Sequence, residues 1–159
     1  MCLILTTEGK YQPTLDYSGT SCTSCSSGHY ASSTGSSSCT SCPAGSSAAN
    51  SGVPSCPSCT AGKYSPSSGS TGCTSCVEGT YSSTTGASSA SACLNCPANY
   101  YSGSAASACT ACPSGQSSSA GATSCVGDTT GCSAGQYLSG SSCESCITGS
   151  EIYAMYVAL

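Results

Sequence analysis

Cysteine is the residue type in this sequence whose number and spacing could do chemistry. There are 17 Cys among 159 residues, and most of them recur as Cys-x-x-Cys. The pairs are Cys22/Cys25, Cys39/Cys42, Cys56/Cys59, Cys73/Cys76, Cys93/Cys96, Cys109/Cys112 and Cys143/Cys146, with a widened version at Cys125/Cys132. Such thiols serve as structural disulfides, as zinc ligands, or in thioredoxin-like redox exchange.

Zinc is the main competitor of disulfides for these thiols. Neighbouring Cys-x-x-Cys pairs have spacings that could be combined into four-thiolate zinc sites. However, cytosolic zinc modules usually carry many basic residues, whereas this chain has two Lys, no Arg and one His. Thioredoxin-like chemistry needs a βαβ scaffold around one pair, and no such pattern is present. We therefore expect disulfides, and neither a metal ion nor a cofactor.

The rest of the composition also favours a disulfide scaffold. The chain has no Trp and no Phe, and its few Leu and Ile lie mostly in residues 3–5 and 151–159. It cannot bury enough large apolar side chains to offset the conformational entropy lost on folding. A disulfide that closes a loop of about 15 residues contributes roughly 3 kcal/mol, so a series of them could replace a core. Because disulfides persist in oxidising compartments, we expect an extracellular protein, either secreted or at the cell surface.

Charge and motif content argue against several classes of function. The net charge is -4 and there is no basic patch, so we expect no nucleic-acid partner. The apolar tail 152–159 is too short to span a bilayer, so we expect no membrane segment in this sequence. His29 is the only His, and no carboxylate is placed to orient it as a catalytic base. We expect no catalytic residues and no enzyme activity.

The cysteine pairs divide the chain into repeated units. The second Cys of a pair, the opening Cys, begins a unit that ends at the first Cys of the next pair, the closing Cys. Three residues after the opening Cys lies the turn position, which is Gly28, Gly45, Gly62, Gly79, Asn99, Gly115 and Gly135. Asn is the non-Gly residue that best tolerates positive φ, so this position is predicted to be left-handed.

Two further positions recur within the units. Five residues after the opening Cys lies the Tyr position, which is Tyr30, Tyr64, Tyr81, Tyr101 and Tyr137, with Ser47 and Ser117 as substitutes. A second Gly follows in the middle of the loop, at Gly35, Gly52, Gly69, Gly86, Gly103, Gly121 and Gly140. Ser-Gly and Thr-Gly at this place predict a turn.

The consensus Cys-x-x-Gly-x-Tyr, then a Ser/Thr/Gly turn, then Cys-x-x-Cys, resembles the ephrin-receptor-like cysteine-rich repeat. That family is related to the cysteine-rich modules of tumour necrosis factor receptors. The resemblance covers roughly residues 8 to 149 and implies that each opening Cys bonds the closing Cys of its own loop. The implied pairs are Cys25–Cys39, Cys42–Cys56, Cys59–Cys73, Cys76–Cys93, Cys96–Cys109, Cys112–Cys125 and Cys132–Cys143.

The two ends depart from the consensus. Glu8-Gly9-Lys10-Tyr11 suggests a degenerate first unit, with Tyr11 at the Tyr position and a Cys2–Cys22 bridge. Only Cys146 is then left over, because it begins a unit whose closing Cys is not in the sequence. We expect either that the natural chain continues past Leu159 or that Cys146 pairs with another chain.

The repeats predict a small disulfide-rich fold without a conventional hydrophobic core. We expect an elongated rod of stacked loop or β-hairpin units with almost no helix, since no helical periodicity is present. Residues 1–24 are the degenerate first repeat, 25–124 the tandem repeats, 125–146 a variant repeat, and 147–159 a truncated repeat or tail. Contacts should join only neighbouring units, as in solenoids. Each Tyr should lie over a disulfide or against the adjacent unit and supply most of the apolar burial.

The hydroxyl content suggests covalent sugars. Ser and Thr make up more than a third of the chain, and no Asn-x-Ser/Thr sequon is present. Candidate sites of O-glycosylation are Ser36, Ser37, Ser38, Ser82, Ser83, Thr84, Thr85, Ser117, Ser118 and Ser119. Our hypothesis is a structural segment of a secreted, O-glycosylated extracellular fibre, appendage or surface coat that associates with copies of itself. The alternative is a ligand-binding or stalk ectodomain of a cell-surface receptor or adhesin, although evenly spaced Tyr do not form the clustered aromatic hot spot of a binding face.

Overall fold

The fold is a series of very short β-hairpins. The computed structural model describes residues 8–12, 22–127, 136–139 and 142–145, and these form seven two-stranded antiparallel sheets. The strands are β1 (Lys10–Tyr11), β2 (Thr23–Ser24), β3 (His29–Tyr30), β4 (Thr40–Ser41), β5 (Lys63–Tyr64), β6 (Thr74–Ser75), β7 (Thr80–Tyr81), β8 (Leu94–Asn95), β9 (Tyr100–Tyr101), β10 (Thr110–Ala111), β11 (Gln116–Ser117), β12 (Val126–Gly127), β13 (Gln136–Ser139) and β14 (Ser142–Ser145). Helical structure among these residues is a single 3-10 turn, Ala90–Ala92. The prediction of a disulfide-rich hairpin repeat with almost no helix is confirmed.

Each hairpin from β1 to β12 pairs the segment after the turn position with the two residues that follow the closing Cys. In β3 and β4, for example, His29 pairs with Ser41 and Tyr30 with Thr40. A β-turn precedes the first strand: the His29 amide donates to the Ser26 carbonyl at 3.1 Å, and Gly28 between them has φ 78. A positive φ at the third residue is the mark of a type II turn, which explains the Gly at this position.

Six disulfides close the loops in sequence along the chain. We call the units that begin at Cys25, Cys42, Cys59, Cys76, Cys96 and Cys112 units 1 to 6, and the degenerate unit around Gly9 unit 0. The bridges are Cys25–Cys39, Cys42–Cys56, Cys59–Cys73, Cys76–Cys93, Cys96–Cys109 and Cys112–Cys125. Their Cα–Cα distances of 5.6–5.8 Å are ordinary for disulfides. The cross-link holds the start of each loop beside its end. There the residues after the closing Cys pair with the first strand of the same unit.

Neighbouring units are joined by the same set of backbone hydrogen bonds at each junction, which includes one from the opening Cys amide of the later unit to the turn-position carbonyl of the earlier unit. Between units 3 and 4, the Gly62 amide donates to the Ser82 carbonyl at 2.8 Å, and the Ser65 amide donates to the Ala87 carbonyl at 3.0 Å. The Gly86 amide donates to the Cys59 carbonyl at 2.7 Å. Equivalent bonds occur at all five junctions from unit 1 to unit 6. The backbone groups of one unit are therefore satisfied by the next unit, as buried amides and carbonyls require.

Contacts also reach the unit after the next one, which corrects the prediction that they join only neighbours. A Cβ placed on Gly62 of unit 3 would lie 2.1 Å from the carbonyl oxygen of Ala105 in unit 5. The same approach recurs two units apart from Gly9 to Gly79, with distances of 2.0–2.2 Å. No side chain fits there, so these glycines are required by packing as well as by their turns. The prediction was wrong because spacing along the sequence does not show how far a loop leans over its neighbours.

The turn in the middle of the loop is made by Ala105 in unit 5, and not by Gly103. Ala105 has φ 59, whereas the equivalent residues of the other described units are Gly with φ 69 to 78. Ala105 lies where Gly86 lies in unit 4, since its amide donates to the Cys76 carbonyl at 3.0 Å. The Gly-based turn prediction is therefore wrong in unit 5. Ala pays a strain there because its Cβ crowds the backbone at positive φ.

The centre of the stack consists of half-cystines and small residues. The buried apolar residues are Cys25, Ala31, Cys42, Ala48, Cys59, Cys76, Ala87 and Cys96. The described tyrosines are half-buried at the Tyr positions, and Tyr100 is 41% exposed. The fully buried interior is thus not aromatic, and the prediction that Tyr supplies most of the apolar burial stays a prediction. Successive units approach too closely at their centre to accommodate a ring.

Gly62→Ala and Gly115→Ala together test the close approach between units two apart. Both glycines have positive φ, 82 and 77, but a Cβ on Gly115 meets nothing within 4 Å. G115A should lower the free energy of unfolding by about 1–2 kcal/mol, the strain of a left-handed Ala. G62A should lower it by at least about 3 kcal/mol, because the Ala105 carbonyl must also move. Denaturant unfolding with intact disulfides measures both, and equal losses would contradict the packing argument.

Candidate functional site

The disulfide ladder is the part of the structure with chemistry, and it contains six of the pairs that the sequence implied. Cys22 and Cys143 are also disulfide-bonded, and their predicted partners, Cys2 and Cys132, lie outside the described residues. Cys146 lies outside them as well. No group of three or more His, Cys, Asp or Glu among the described residues could hold a metal ion.

The two sulfurs of a bridge differ in their access to solvent. The opening Cys of units 1 to 5 is 0% or 1% exposed. The closing Cys of the same bridges, for example Cys39 and Cys73, is half-buried. The opening Cys lies at the centre of the stack and the closing Cys at its rim. A reagent from solvent therefore meets only one end of each bridge.

The turn positions follow the sequence prediction, including the Asn. Gly28, Gly45, Gly62, Gly79 and Gly115 have φ between 77 and 84, and Asn99 has φ 66. Gly135 lies outside the described residues. Asn99 is exposed, whereas the first four of these glycines are buried. Because Asn99 carries a Cβ, a carbonyl cannot approach it as Ala105 approaches Gly62.

The Tyr positions connect each unit to the next through the backbone. Tyr30, Tyr64, Tyr81 and Tyr101 each form a parallel bridge to the following unit, at Val53, Ala87, Ala106 and Ala122. Tyr11 pairs with Thr23 in the first hairpin. Tyr137 pairs with Glu144 in β13 and β14, and its side chain is outside what the structure describes. Inter-repeat packing by the Tyr rings stays a prediction.

Unit 2 shows what the side chain at this position faces. It carries Ser47 instead of Tyr, and the Ser47 hydroxyl lies 3.4 Å from the Sγ of Cys73 in unit 3. Because Cys73 is in a disulfide, the hydroxyl is the donor of this hydrogen bond. The Tyr position of unit 2 therefore lies against the disulfide of unit 3.

One of the candidate glycosylation residues is excluded by its burial. Ser82 is 2% exposed, and its hydroxyl oxygen accepts a hydrogen bond from the Thr84 amide at 3.4 Å. Ser82 cannot carry a sugar in the folded chain, so this prediction was wrong. Ser37, Ser38, Ser83, Thr84, Thr85 and Ser119 are exposed. Ser36, Ser117 and Ser118 are half-buried, and the hydroxyls of Ser36 and Ser118 donate to the Ser33 and Tyr100 carbonyls.

Sequence analysis missed the structural role of the residue after the Tyr position. This residue is Ala or Ser in units 1 to 6, and in units 1 to 5 it is buried. Its backbone takes part in two of the bonds at each junction; in unit 4 it is Ser82. The restriction to two small residue types was visible in the sequence and could have marked the position as buried.

The isolated ionisable groups form no catalytic arrangement within the described residues. The Nδ1 atom of His29 lies 3.3 Å from the Ser26 hydroxyl and 3.3 Å from the Ser27 carbonyl, both in its own turn. No acidic side chain is its partner there. None of the helical structure in the described part of the chain is long and apolar enough to cross a membrane.

Comparison with known protein families identifies a match to a family of extracellular modules. A family described as tyrosine-protein kinase ephrin type A/B receptor-like matches residues 9–55 and 45–93, which together span more than half of the chain. The matched family is a disulfide-rich, receptor-like extracellular module and not an enzyme family. No curated protein matches the chain.

Metal removal and reduction distinguish the disulfide ladder from zinc sites. Excess EDTA should leave the thermal unfolding midpoint unchanged, because sulfur–sulfur bonds need no metal. Reduction should unfold the chain, because each bridge closes 13 to 17 residues and contributes about 3 kcal/mol. Near-UV circular dichroism of the Tyr side chains follows both treatments. Unfolding by EDTA alone would contradict the assignment of these cysteines.

Proposed function

We propose that this chain, which belongs to the ephrin type A/B receptor-like family of extracellular modules, is a structural segment of an extracellular assembly. The assembly is a fibre, appendage or surface coat, and the stacked units are its stiff element. In this role the chain needs no reaction centre. It needs a stack of units that lengthens along one axis as units are added and that stays folded outside the cell.

The observation that carries this proposal is the repetition of the same junction. The same set of backbone hydrogen bonds joins each pair of neighbouring units from unit 1 to unit 6, and a glycine contact joins units two apart. Each added unit therefore extends the stack along the same line. Solenoid proteins likewise use contacts between successive repeats to build long structures without a central hydrophobic core.

The surface supports self-association and glycosylation. Only 5% of the residues are charged and the net charge is -4, so repulsion between copies is weak. The exposed loops carry hydroxyls, for example at Ser37, Ser83 and Thr85. O-linked sugars on these hydroxyls would provide the hydration that charged side chains provide in other proteins.

The second candidate is a stalk or ligand-binding ectodomain of a receptor or adhesin. It is favoured by the family match, since that family is receptor-like. A ligand-binding face usually clusters aromatic or charged anchors. The exposed large apolar residues, Val77, Leu94, Tyr100 and Val126, are distributed over units 4 to 6. The stalk version of this candidate uses the same stiff stack and differs from a fibre in remaining monomeric.

Self-association is tested on the full chain secreted from an oxidising host. Light scattering after size exclusion should show oligomers whose mass rises over a hundred-fold range of concentration. Negative-stain microscopy should show linear assemblies. A monomer throughout that range would remove the fibre proposal and leave the stalk.

Glycosylation is tested by peptide mapping of the native protein before and after removal of O-linked sugars. Hexose-sized mass losses are expected on peptides that contain Ser37, Ser38, Ser83, Thr84, Thr85 and Ser119. Buried Ser82, next to Ser83, is the internal control and should be unmodified. A bare polypeptide mass, or a sugar on Ser82, would contradict the proposal.

A further inference from the structure

The two ends of the disulfides of units 1 to 5 differ in access, so exchange of these five bridges with a solvent thiol has a fixed direction. A thiolate must approach one sulfur along the line of the S–S bond and displace the other. The opening Cys of units 1 to 5 is 0–1% exposed, and so attack on that sulfur is blocked. Attack at the closing Cys is possible, since it is half-buried at the rim.

One bridge differs from the others in the side chain that the preceding unit carries at the Tyr position. Five of the six described bridges follow a unit with Tyr at the Tyr position: Tyr11, Tyr30, Tyr64, Tyr81 and Tyr101. The bridge Cys59–Cys73 follows unit 2, which has Ser47. The Ser47 hydroxyl contacts Cys73 at 3.4 Å, which places this small side chain where the others carry a ring.

The residue before Cys73 also differs from its equivalents in the other units. It is Gly72, whereas the other five closing residues follow Ser38, Ser55, Ala92, Ala108 and Ser124. Gly72 is exposed, and a Cβ placed on it would meet nothing within 4 Å. Its φ is not in the left-handed region, so the backbone does not require Gly there. Cys73 is thus the closing Cys with the smallest residues at both of these neighbouring positions.

We propose that Cys73 is a site of reversible S-thiolation by low-molecular-weight thiols. The thiolate attacks the Sγ of Cys73, a new sulfur–sulfur bond forms, and the Cys59–Cys73 bond breaks. The electron pair goes to the Sγ of Cys59, which takes a proton from solvent. The incoming thiol is thereby oxidised to the disulfide level and Cys59 is reduced to a thiol.

The structure also sets the lifetime of the adduct. Cys59 is 1% exposed and stays beside Cys73, because its amide and carbonyl are bonded to Gly45 and Gly86. Burial disfavours its thiolate, but a tethered thiol attacks the mixed disulfide far more often than a free one. The adduct therefore reverts quickly, and unit 3 can open and close without loss of its neighbours.

Trapping with glutathione as the probe tests this proposal on the full, oxidised chain. Timed samples are quenched with acid, denatured in the presence of N-ethylmaleimide so that the buried Cys59 thiol is alkylated, digested without reduction and mapped by mass spectrometry. Glutathione should be found first on Cys73, with maleimide on Cys59, while the other four bridges of units 1 to 5 stay closed. Adducts spread evenly over the closing cysteines, or glutathione on Cys59, would overturn the proposal. The result does not depend on whether the chain self-associates or carries sugars.

Matched variants show whether the size of the side chains beside Cys73 controls the rate of adduct formation there. S47Y should restore the ring and slow adduct formation at Cys73 several-fold, whereas S47A keeps the gap and should change it little. G72S adds a side chain at a place where the fold has room and should also slow it. Mapping the remaining bridges shows that each variant is folded. An unchanged rate of adduct formation at Cys73 in both S47Y and G72S would overturn the proposal. Equal slowing by S47A and S47Y would also overturn it, because Ala leaves the position beside Cys73 uncovered.

Discussion

The opening cysteine is the residue on which the rest of each unit depends. In unit 3, Cys59 bonds Cys73 covalently, its amide donates to the Gly45 carbonyl at 2.8 Å, and its carbonyl accepts from Gly86 at 2.7 Å. It thus joins its own loop, the unit before and the unit after. At 1% exposure it also occupies the place of a core residue. A chain without Trp or Phe can fold in this way because closing loops in the unfolded state removes entropy that apolar burial would otherwise have to offset.

Most of what could be predicted from the sequence came from positions that recur at a fixed distance from the opening Cys of each unit. Gly at the turn position, with Asn99 as the one substitute, predicted the left-handed backbone because few residues adopt positive φ. Ala105 could not be found in this way, because Ala is not a turn signal and its position follows from hydrogen bonds to unit 4. Ser82 looked like any other serine in a hydroxyl-rich run. Its burial depends on how two loops meet in space, and the same is true of the contact between Gly62 and unit 5.

The interior and the surface of the stack are under different constraints. Inside, Cys, Gly and a residue no larger than Ser recur at fixed positions, since backbone lies against backbone there. At the rim, the residues vary from unit to unit, as Ser47, Gly72 and the longer loop with the 3-10 turn Ala90–Ala92 show. Differences in chemistry between units can therefore accumulate at the surface while the junctions stay the same. That combination suits an extracellular repeat protein in which the fold of the units is constant and the surface residues differ from unit to unit.

The short link between consecutive loops determines how the chain responds to tension. Pulling force bypasses a closed loop through its disulfide and passes to the next unit across the three peptide steps from Cys39 to Cys42. If a unit were pulled out of the stack, it would lengthen to the 5.7 Å between Cα atoms of the bridge plus about 11 Å of link. The same 17 residues without the bridge would extend to about 60 Å. The ladder thus makes the chain nearly inextensible even after its hydrogen bonds have broken, as in a tether that yields little before its covalent links fail.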